Sequence, residues 1–202
     1  MQDYYYVLVL FLVLLGIILY ITLYFESSEP SENLEPEEKR VGRQGEEFAS
    51  RVIREILNEK DTLLTNVKIS FEEKDTELDN VIINNRGVFI IEVKNYRGVL
   101  AGNEDDYEWR KTKYTSAGNV YSKSVRNPIR QVKRQVYILA AFLKQYGIEI
   151  WVEGYVYLVR GESPVESKYI LNTSKEIKSA IHFGTNNKLT KSTKEKIVEL
   201  LL

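Results

Sequence analysis

The sequence predicts an α/β fold, a mixed β-sheet flanked by helices, preceded by one transmembrane helix. Three observations point there. Helix and strand patterns follow one another as α, three β, α, β, an order that builds a mixed sheet covered by helices. The run GVFIIEV, from Gly87 to Val93, is apolar on both faces, as a central strand covered on both sides must be. The stretch from Tyr4 to Phe25 carries no charge.

That N-terminal stretch, YYYVLVLFLVLLGIILYITLYF, spans the roughly 30 Å hydrocarbon layer as a helix rising about 1.5 Å per residue. Leu, Ile, Val and Phe dominate it, each favouring insertion by roughly 0.3–0.6 kcal/mol near the bilayer centre. Tyr4, Tyr5 and Tyr6 at one end and Tyr20 and Tyr24 at the other suit the interfacial belts. A cleaved signal peptide is the competing reading, but the basic n-region, the short apolar core and the small-residue cleavage site are missing. Lys39, Arg40 and Arg43 follow the span and only Asp3 precedes it, so the positive-inside rule expects a single-pass cell-membrane protein with a cytoplasmic main domain. Residues 26–41, acidic and proline-containing (ESSEPSENLEPEE and onward), read as a flexible linker. The soluble part then divides into residues 42–160 and a strand/helix extension of the same domain over 161–202.

Within the soluble part, Gly45 to Leu57 has helical spacing, with Phe48, Val52 and Ile56 as one apolar stripe and Ala49, Ile53 and Leu57 beside it. Glu46 lies on the core side of that helix; Glu47 lies in line with Arg51 and Arg54 on the wet side. Strands are expected over Leu63–Ser70, Leu78–Ile83 and Gly87–Lys94, the last two joined by the turn Asn84-Asn85-Arg86-Gly87. A further hairpin runs from Val99 through Thr115 with Trp109 on its second strand, and Ser116 to Arg126 reads as a mobile loop. Asn127 caps and Pro128 opens a long amphipathic helix to Tyr146, whose inner face is Val132, Val136, Leu139, Ala140 and Leu143 and which ends at Gly147. Trp151–Val159 is another strand, followed by a short strand at Tyr169–Leu171 and a helix from Thr193 to Leu202.

Composition removes several chemistries. There is no cysteine, which excludes disulfide frameworks, thiolate zinc sites and cysteine nucleophiles. The single histidine, His182, lies far in sequence from the other polar candidates, which disfavours histidine-built zinc sites and Ser-His-Asp chemistry. Any metal must therefore take oxygen ligands, as magnesium, manganese or calcium do. A net charge of −1 gives no global basic field, so a polyanion would have to be met by local patches.

One local pattern stands out. Glu92 and Lys94 are two apart on the GVFIIEVK strand and so share a face. Two charges on an otherwise apolar central strand cost energy unless each has a partner. Asp79, on the preceding strand, can be brought near Glu92 by an antiparallel hairpin, and two converging carboxylates repel unless a cation relieves them. Spacing alone leaves two readings open, a Glu92–Lys94 ion pair that satisfies itself or part of a metal site.

Asp79 followed by Glu92-Val93-Lys94 at a strand end resembles the PD-(D/E)xK nuclease superfamily and, more closely, its nuclease-related (NERD) domain branch. The matching pieces are GRQGEE (Gly42–Glu47), TELDNVII (Thr76–Ile83), GVFIIEVKNYRG (Gly87–Gly98), Trp109 and NPIRQ (Asn127–Gln131). Two departures are Leu78 in place of the superfamily's proline and Asn80 where the branch often carries histidine. The resemblance implies a restriction-endonuclease-like core. In it Asp79, Glu92 and the Val93 backbone carbonyl would ligate Mg2+ or Mn2+, and Lys94 would orient water and offset charge. Glu46 and Gln131 would support the site from the two helices; their plain alternatives are a first-turn acid complementing the helix dipole and a surface amide. Lys111, Lys113, Lys123, Arg126, Arg130, Lys133 and Arg134, interleaved with Tyr114 and Tyr121, are candidates for binding the phosphates of DNA or RNA, or a solvated basic face. The alternatives to a nuclease are a non-catalytic nucleic-acid-binding module and a membrane-bound protein scaffold.

Overall fold

The computed structural model describes residues 6, 13–21, 36–160, 165–183 and 188–202. Residues 13–21 are helical and exposed, while the rest of the expected span, Tyr6 apart, lies outside the described residues. Among the described residues no helix is long and apolar enough to cross a membrane. The chain divides into two units, residues 1–39 and 40–202, and the second carries the α/β fold.

Helix α1 (Glu37–Ile56) leads into this unit and starts eight residues before the expected Gly45, so the end of the expected linker is helical. Glu37 and Glu38 in the first turn complement its N-terminal dipole. The buried stripe is Gly45, Ala49 and Ile53, and Phe48, expected inside, is 41% exposed. Two strands, β1 (Thr62–Phe71) and β2 (Lys74–Ile83), form a longer hairpin than the alternation suggests. Its turn is made by Glu72 and Glu73 with φ of 48° and 60°, a conformation in which Asn or Gly is the usual signal. β3 (Val88–Lys94) is buried at every position but Lys94.

Beyond β3 a second, three-stranded sheet is formed by β4 (Val99–Ala101), β5 (Glu108–Tyr114) and β6 (Val120–Arg126). The expected loop over Ser116–Arg126 is thus mostly strand. β6 is exposed at six of seven positions, so it has no buried face to impose an apolar alternation. Gly98, at φ +114°, brings the chain against the Thr112 carbonyl, where any side chain would collide.

The long helix α2 (Pro128–Gln145) begins as expected, with the Asn127 side chain accepting from the Ile129 N–H. β7 (Val152–Leu158) and the two-residue β8 (Ile170–Leu171) complete the main sheet. A short helix, α3 (Ser174–His182), has no counterpart among the predicted elements, and α4 (Lys191–Leu201) closes the chain. The main sheet has the order β1-β2-β3-β7-β8, antiparallel from β1 to β3 and parallel from β3 to β8, a mixed sheet as the sequence implies.

Alternation along the central strands then divides two cores. Val81, Ile83, Val88 and Ile90 face Ile129, Val132 and Leu139 of α2 and Ile197 of α4. Ile82, Phe89, Ile91 and Val93 face Ala49 and Ile53 of α1 and Ile177 and Ile181 of α3. Helices therefore cover both faces of β3, which is why that strand reads as continuously apolar.

Candidate functional site

The β2–β3 ladder stops at the pair Asn80–Ile91. The next backbone donor on that edge, the Val93 N–H, goes instead to the side chain of Asp79 at 2.7 Å. A carboxylate thus ends the ladder where a carbonyl would have continued it, and β2 and β3 part at this point. The N–H and C=O of one strand residue face the same edge, so the Val93 carbonyl looks toward the same gap as Asp79.

Glu92 lies on the α2 face and is 1% exposed. Burying an unpartnered carboxylate would cost many kcal/mol, and the fold surrounds this one with donors. Lys94, on the same strand face, donates to Oε1. Gln131 donates to Oε1 at 2.6 Å, and Gln135, one turn further along α2, donates to Oε2 at 2.6 Å. Gln135 also reaches the Glu77 carbonyl at 3.0 Å, tying α2 to β2 through the same amide. It is 1% exposed, and the sequence-based set of site residues does not include it. Its signal is the i,i+4 spacing from Gln131, on the inner side of the helix beside Val132 and Leu139.

The sequence-predicted core of the site is brought together. Asp79 feels both Glu92 and Glu46: burial first, then the Glu92 charge, and more weakly Glu46 push its carboxyl up to about 7, against the Val93 hydrogen bond and the Lys94 charge. Glu46, half-buried on α1, is raised by burial and by Glu77 and Glu92, with Lys94 opposing. For Lys94, burial works against the ammonium, but the charge and hydrogen bond of Glu92 prevail, and its pKa lies above the usual lysine range. Gly45 sets the position of Glu46, since a Cβ there would lie 2.5 Å from the Asn95 Cβ just after β3. Asn95 in turn donates to the Val41 carbonyl at 2.7 Å, fixing the helix at that crossing. Asn80, the departure from the branch pattern, points to the opposite face and accepts from Ser50 of α1 at 2.7 Å. It is buried, and its link to α1 lies one turn from Glu46.

Asp79, Glu92 and the Val93 carbonyl are hard oxygen donors of the kind magnesium and manganese take. Among the described residues no three acidic or histidine side chains stand close enough to hold an ion by themselves. The donor set needs only two carboxylates and a carbonyl, and Asp79 lies close enough to Glu92 to feel its charge, a converging pair that a cation would relieve, so the residues fit such an ion. A cavity of about 660 Å³ beside Tyr137, Lys144 and Trp151 includes none of these groups; the chemistry, not the volume, locates the site.

The seven basic candidates separate into two groups. Lys111 and Lys123 are cross-strand partners on the β5–β6 ribbon, with Lys113 opposite Tyr121 and Arg126 opposite Glu108. The Lys111 ammonium lies 5.3 Å from the centre of the Tyr96 ring. Tyr96, raised by burial, in turn feels Lys94, Glu92 and Lys123, so this ribbon face adjoins the carboxylates. On α2, Lys133 pairs with Glu104 at 2.8 Å and stacks on Tyr169, while Arg130 donates to the Asp105 carbonyl and lies over Tyr107. Arg134 is exposed on the same helix. Arg130 and Lys133 are engaged in holding the 103–107 loop and the β8 end, roles that sequence spacing does not distinguish from phosphate binding.

A family model described as the nuclease-related domain matches residues 41–159, more than half of the chain. The chain belongs to that family. The matched range runs from α1 through β7 and so contains every carboxylate, lysine and glutamine of the site. The chain is also 27% identical over 108 residues to an uncharacterized protein of Bacillus anthracis, a match covering 53% of this chain and 49% of that protein. The match thus spans about half the length of that relative. That description relates the family to nucleases.

Proposed function

We propose that this chain is a divalent-metal-dependent nuclease of restriction-endonuclease-like architecture, hydrolysing phosphodiester bonds of DNA or RNA. The observation that carries it is the end of the β2–β3 ladder, where Asp79 is held against Val93 beside the buried Glu92–Lys94 pair in a nuclease-related domain.

Asp79, Glu92 and the Val93 carbonyl would hold Mg2+ or Mn2+. When bound, that ion would supply a Lewis acid for the phosphate oxygens and lower the pKa of water. Lys94, kept charged by Glu92, offsets negative charge developing on the phosphate. Glu46, its pKa raised, is suited to take a proton or hold a water from the α1 side. Gln131 and Gln135 fix the Glu92 carboxylate so that it does not rotate away from the gap. Lys111, Lys113, Lys123 and Arg126 hold the substrate's phosphates, with Arg134 a further contact from α2.

One observation favours a second reading. Both Glu92 oxygens already have donors from Lys94, Gln131 and Gln135, a self-satisfied network that suits a non-catalytic nucleic-acid-binding module. The test is cleavage of a mixed DNA and RNA panel by the full chain with magnesium or manganese, beside Asp79→Ala and Lys94→Ala and with chelator controls. Cleavage that needs metal and vanishes in both variants supports the nuclease; salt-sensitive binding without cleavage, surviving Asp79→Ala, supports the binding module.

The uncharged stretch from Tyr4 to Phe25 supports a membrane anchor, and the basic residues after it support a cytoplasmic catalytic domain. Protease added outside intact cells should then spare a tag at Leu202, and loss of the tag would reverse the orientation.

A further inference from the structure

Residues 109–126 carry Arg110, Lys111, Lys113, Lys123 and Arg126 and no acidic residue, within a chain whose net charge is −1. Folding places these charges on β5 and β6; β4 pairs with β5 over Arg110–Thr112, so the hairpin is two-stranded beyond Thr112. Lys111 and Lys123 stand directly opposite, with Lys113 and Tyr121 as the next pair outward on the same face. Arg110 and Tyr114 occupy the other face. Like charges set directly across an antiparallel pair are destabilising, so stability does not account for this arrangement.

The ribbon is fixed at its base and open beyond it. Trp109 is 1% exposed and its indole N–H donates to the Asn103 carbonyl at 2.8 Å. The Asn127 side chain donates to the Glu104 and Asp106 carbonyls, both at 2.8 Å. Further out, Tyr114, Val120 and Tyr121 are all more than half exposed. Beyond β4, from Thr112 to Tyr114, the strand extends about 7 Å further, at roughly 3.3 Å per residue, before the turn. That tip is a projection, with Lys113 and Tyr121 on one face and Tyr114 and Val120 on the other.

We infer that the β5–β6 ribbon is a substrate arm that enters the major groove of double-stranded DNA and presents a backbone phosphate to the Asp79–Glu92 site. The inference rests on the nuclease reading and narrows its substrate. A convex ribbon needs a concave partner. The B-form major groove, about 12 Å wide, admits a two-stranded ribbon, whereas the deep, narrow major groove of A-form RNA does not. A single strand is held by a basic groove, not by a projection exposed on both faces. Lys111 over Tyr96, which itself feels Lys94, makes the basic face continuous with the site.

The test is fluorescence anisotropy of the full chain in chelator, with a DNA duplex, the matching RNA duplex and one DNA strand as probes. Wild type should bind duplex DNA most tightly. The triple Lys111→Ala/Lys113→Ala/Lys123→Ala variant should lose roughly 10–100-fold of that affinity at about 0.15 M salt, and its log–log salt slope should flatten by about 2–3. The triple lysine-to-arginine variant should restore both, which a merely structural role would not. Unchanged binding by the alanine variant at an unchanged unfolding midpoint would overturn the arm. Preference for RNA duplex or single strand would overturn the substrate class. No binding of any probe by wild type would instead remove the nuclease reading beneath it.

Discussion

Replacing Asp79 by asparagine should make the metal-free protein more stable while abolishing its activity. The native fold raises this carboxyl from its ordinary 3.8 to about 7, through burial and the Glu92 charge. The native state therefore keeps the proton to higher pH than the unfolded chain does. Stability from this group is fully present below about pH 3.8 and is lost as pH rises to about 7, because the unfolded state then binds fewer protons. At about 1.36 kcal/mol per pH unit the upper bound on that loss is about 4 kcal/mol. Asp79 is half-buried and its surroundings relax, so roughly 1–3 kcal/mol is the expected size. Asparagine cannot ionise, yet its carbonyl oxygen can still accept the Val93 N–H that Asp79 holds at 2.7 Å. For a protein of this length the gain corresponds to roughly 2–10 °C in midpoint. Thermal unfolding by circular dichroism from about pH 4 to 8.5 in chelator measures it: the two proteins should converge in acid, diverge as pH rises toward about 7, and stay apart above it. Manganese should then stabilise wild type and leave the variant unmoved. An Asp79→Asn protein that is less stable at about pH 8, or has the wild-type pH dependence, refutes the electrostatic reasoning.

Three more outcomes rest on the same geometry. Gln135→Ala leaves Glu92 Oε2 and the Glu77 carbonyl short of a buried donor; it should cost roughly 1–3 kcal/mol in urea unfolding and lower cleavage by about 10–100-fold. Gly45→Val forces α1 off Asn95 and should cost roughly 1–3 kcal/mol; cleavage should fall because Glu46 is displaced although no polar group is removed, and full activity would show that Glu46 takes no part. Lys94→Ala should cut the cleavage rate at least about 100-fold, and because Glu92 raises the Lys94 pKa, the wild-type rate should not decline between about pH 8 and 10 through loss of that charge.

Much of the site can be read from residue order because its chemistry is concentrated on the most constrained strand. A run buried on both faces leaves few places for charge, so Glu92 and Lys94 are conspicuous, and the short turn after β2 places Asp79 beside them. The long helix is equally legible, from the Asn127 cap and Pro128 at its first turn. What escapes lacks a periodic signal. β6 is exposed on both faces and its alternation is invisible, although its pairing with β5 is regular. α3 has few turns, but its start carries the Thr-x-x-Glu spacing, with the Glu176 N–H on the hydroxyl of the N-cap Thr173 and the Asn172 N–H on the Glu176 carboxylate. Ile177 and Ile181 supply the i,i+4 pair that completes the pattern. Phe48 reads as core because its hydrophobicity outweighs that of Gly45 and Ala49, yet the helix turns those small residues inward to approach β3 closely. The division of the basic residues between ribbon and helix depends on partners such as Glu104 and Tyr169 that are distant in sequence.

Manganese binding bears most directly on the nuclease reading. Titrating Mn2+ into the full chain by calorimetry, with Asp79→Asn alongside, should show one site in wild type that is lost in the variant. Equal binding by both, or none by folded wild type, would contradict a metal centre at the parting of β2 and β3.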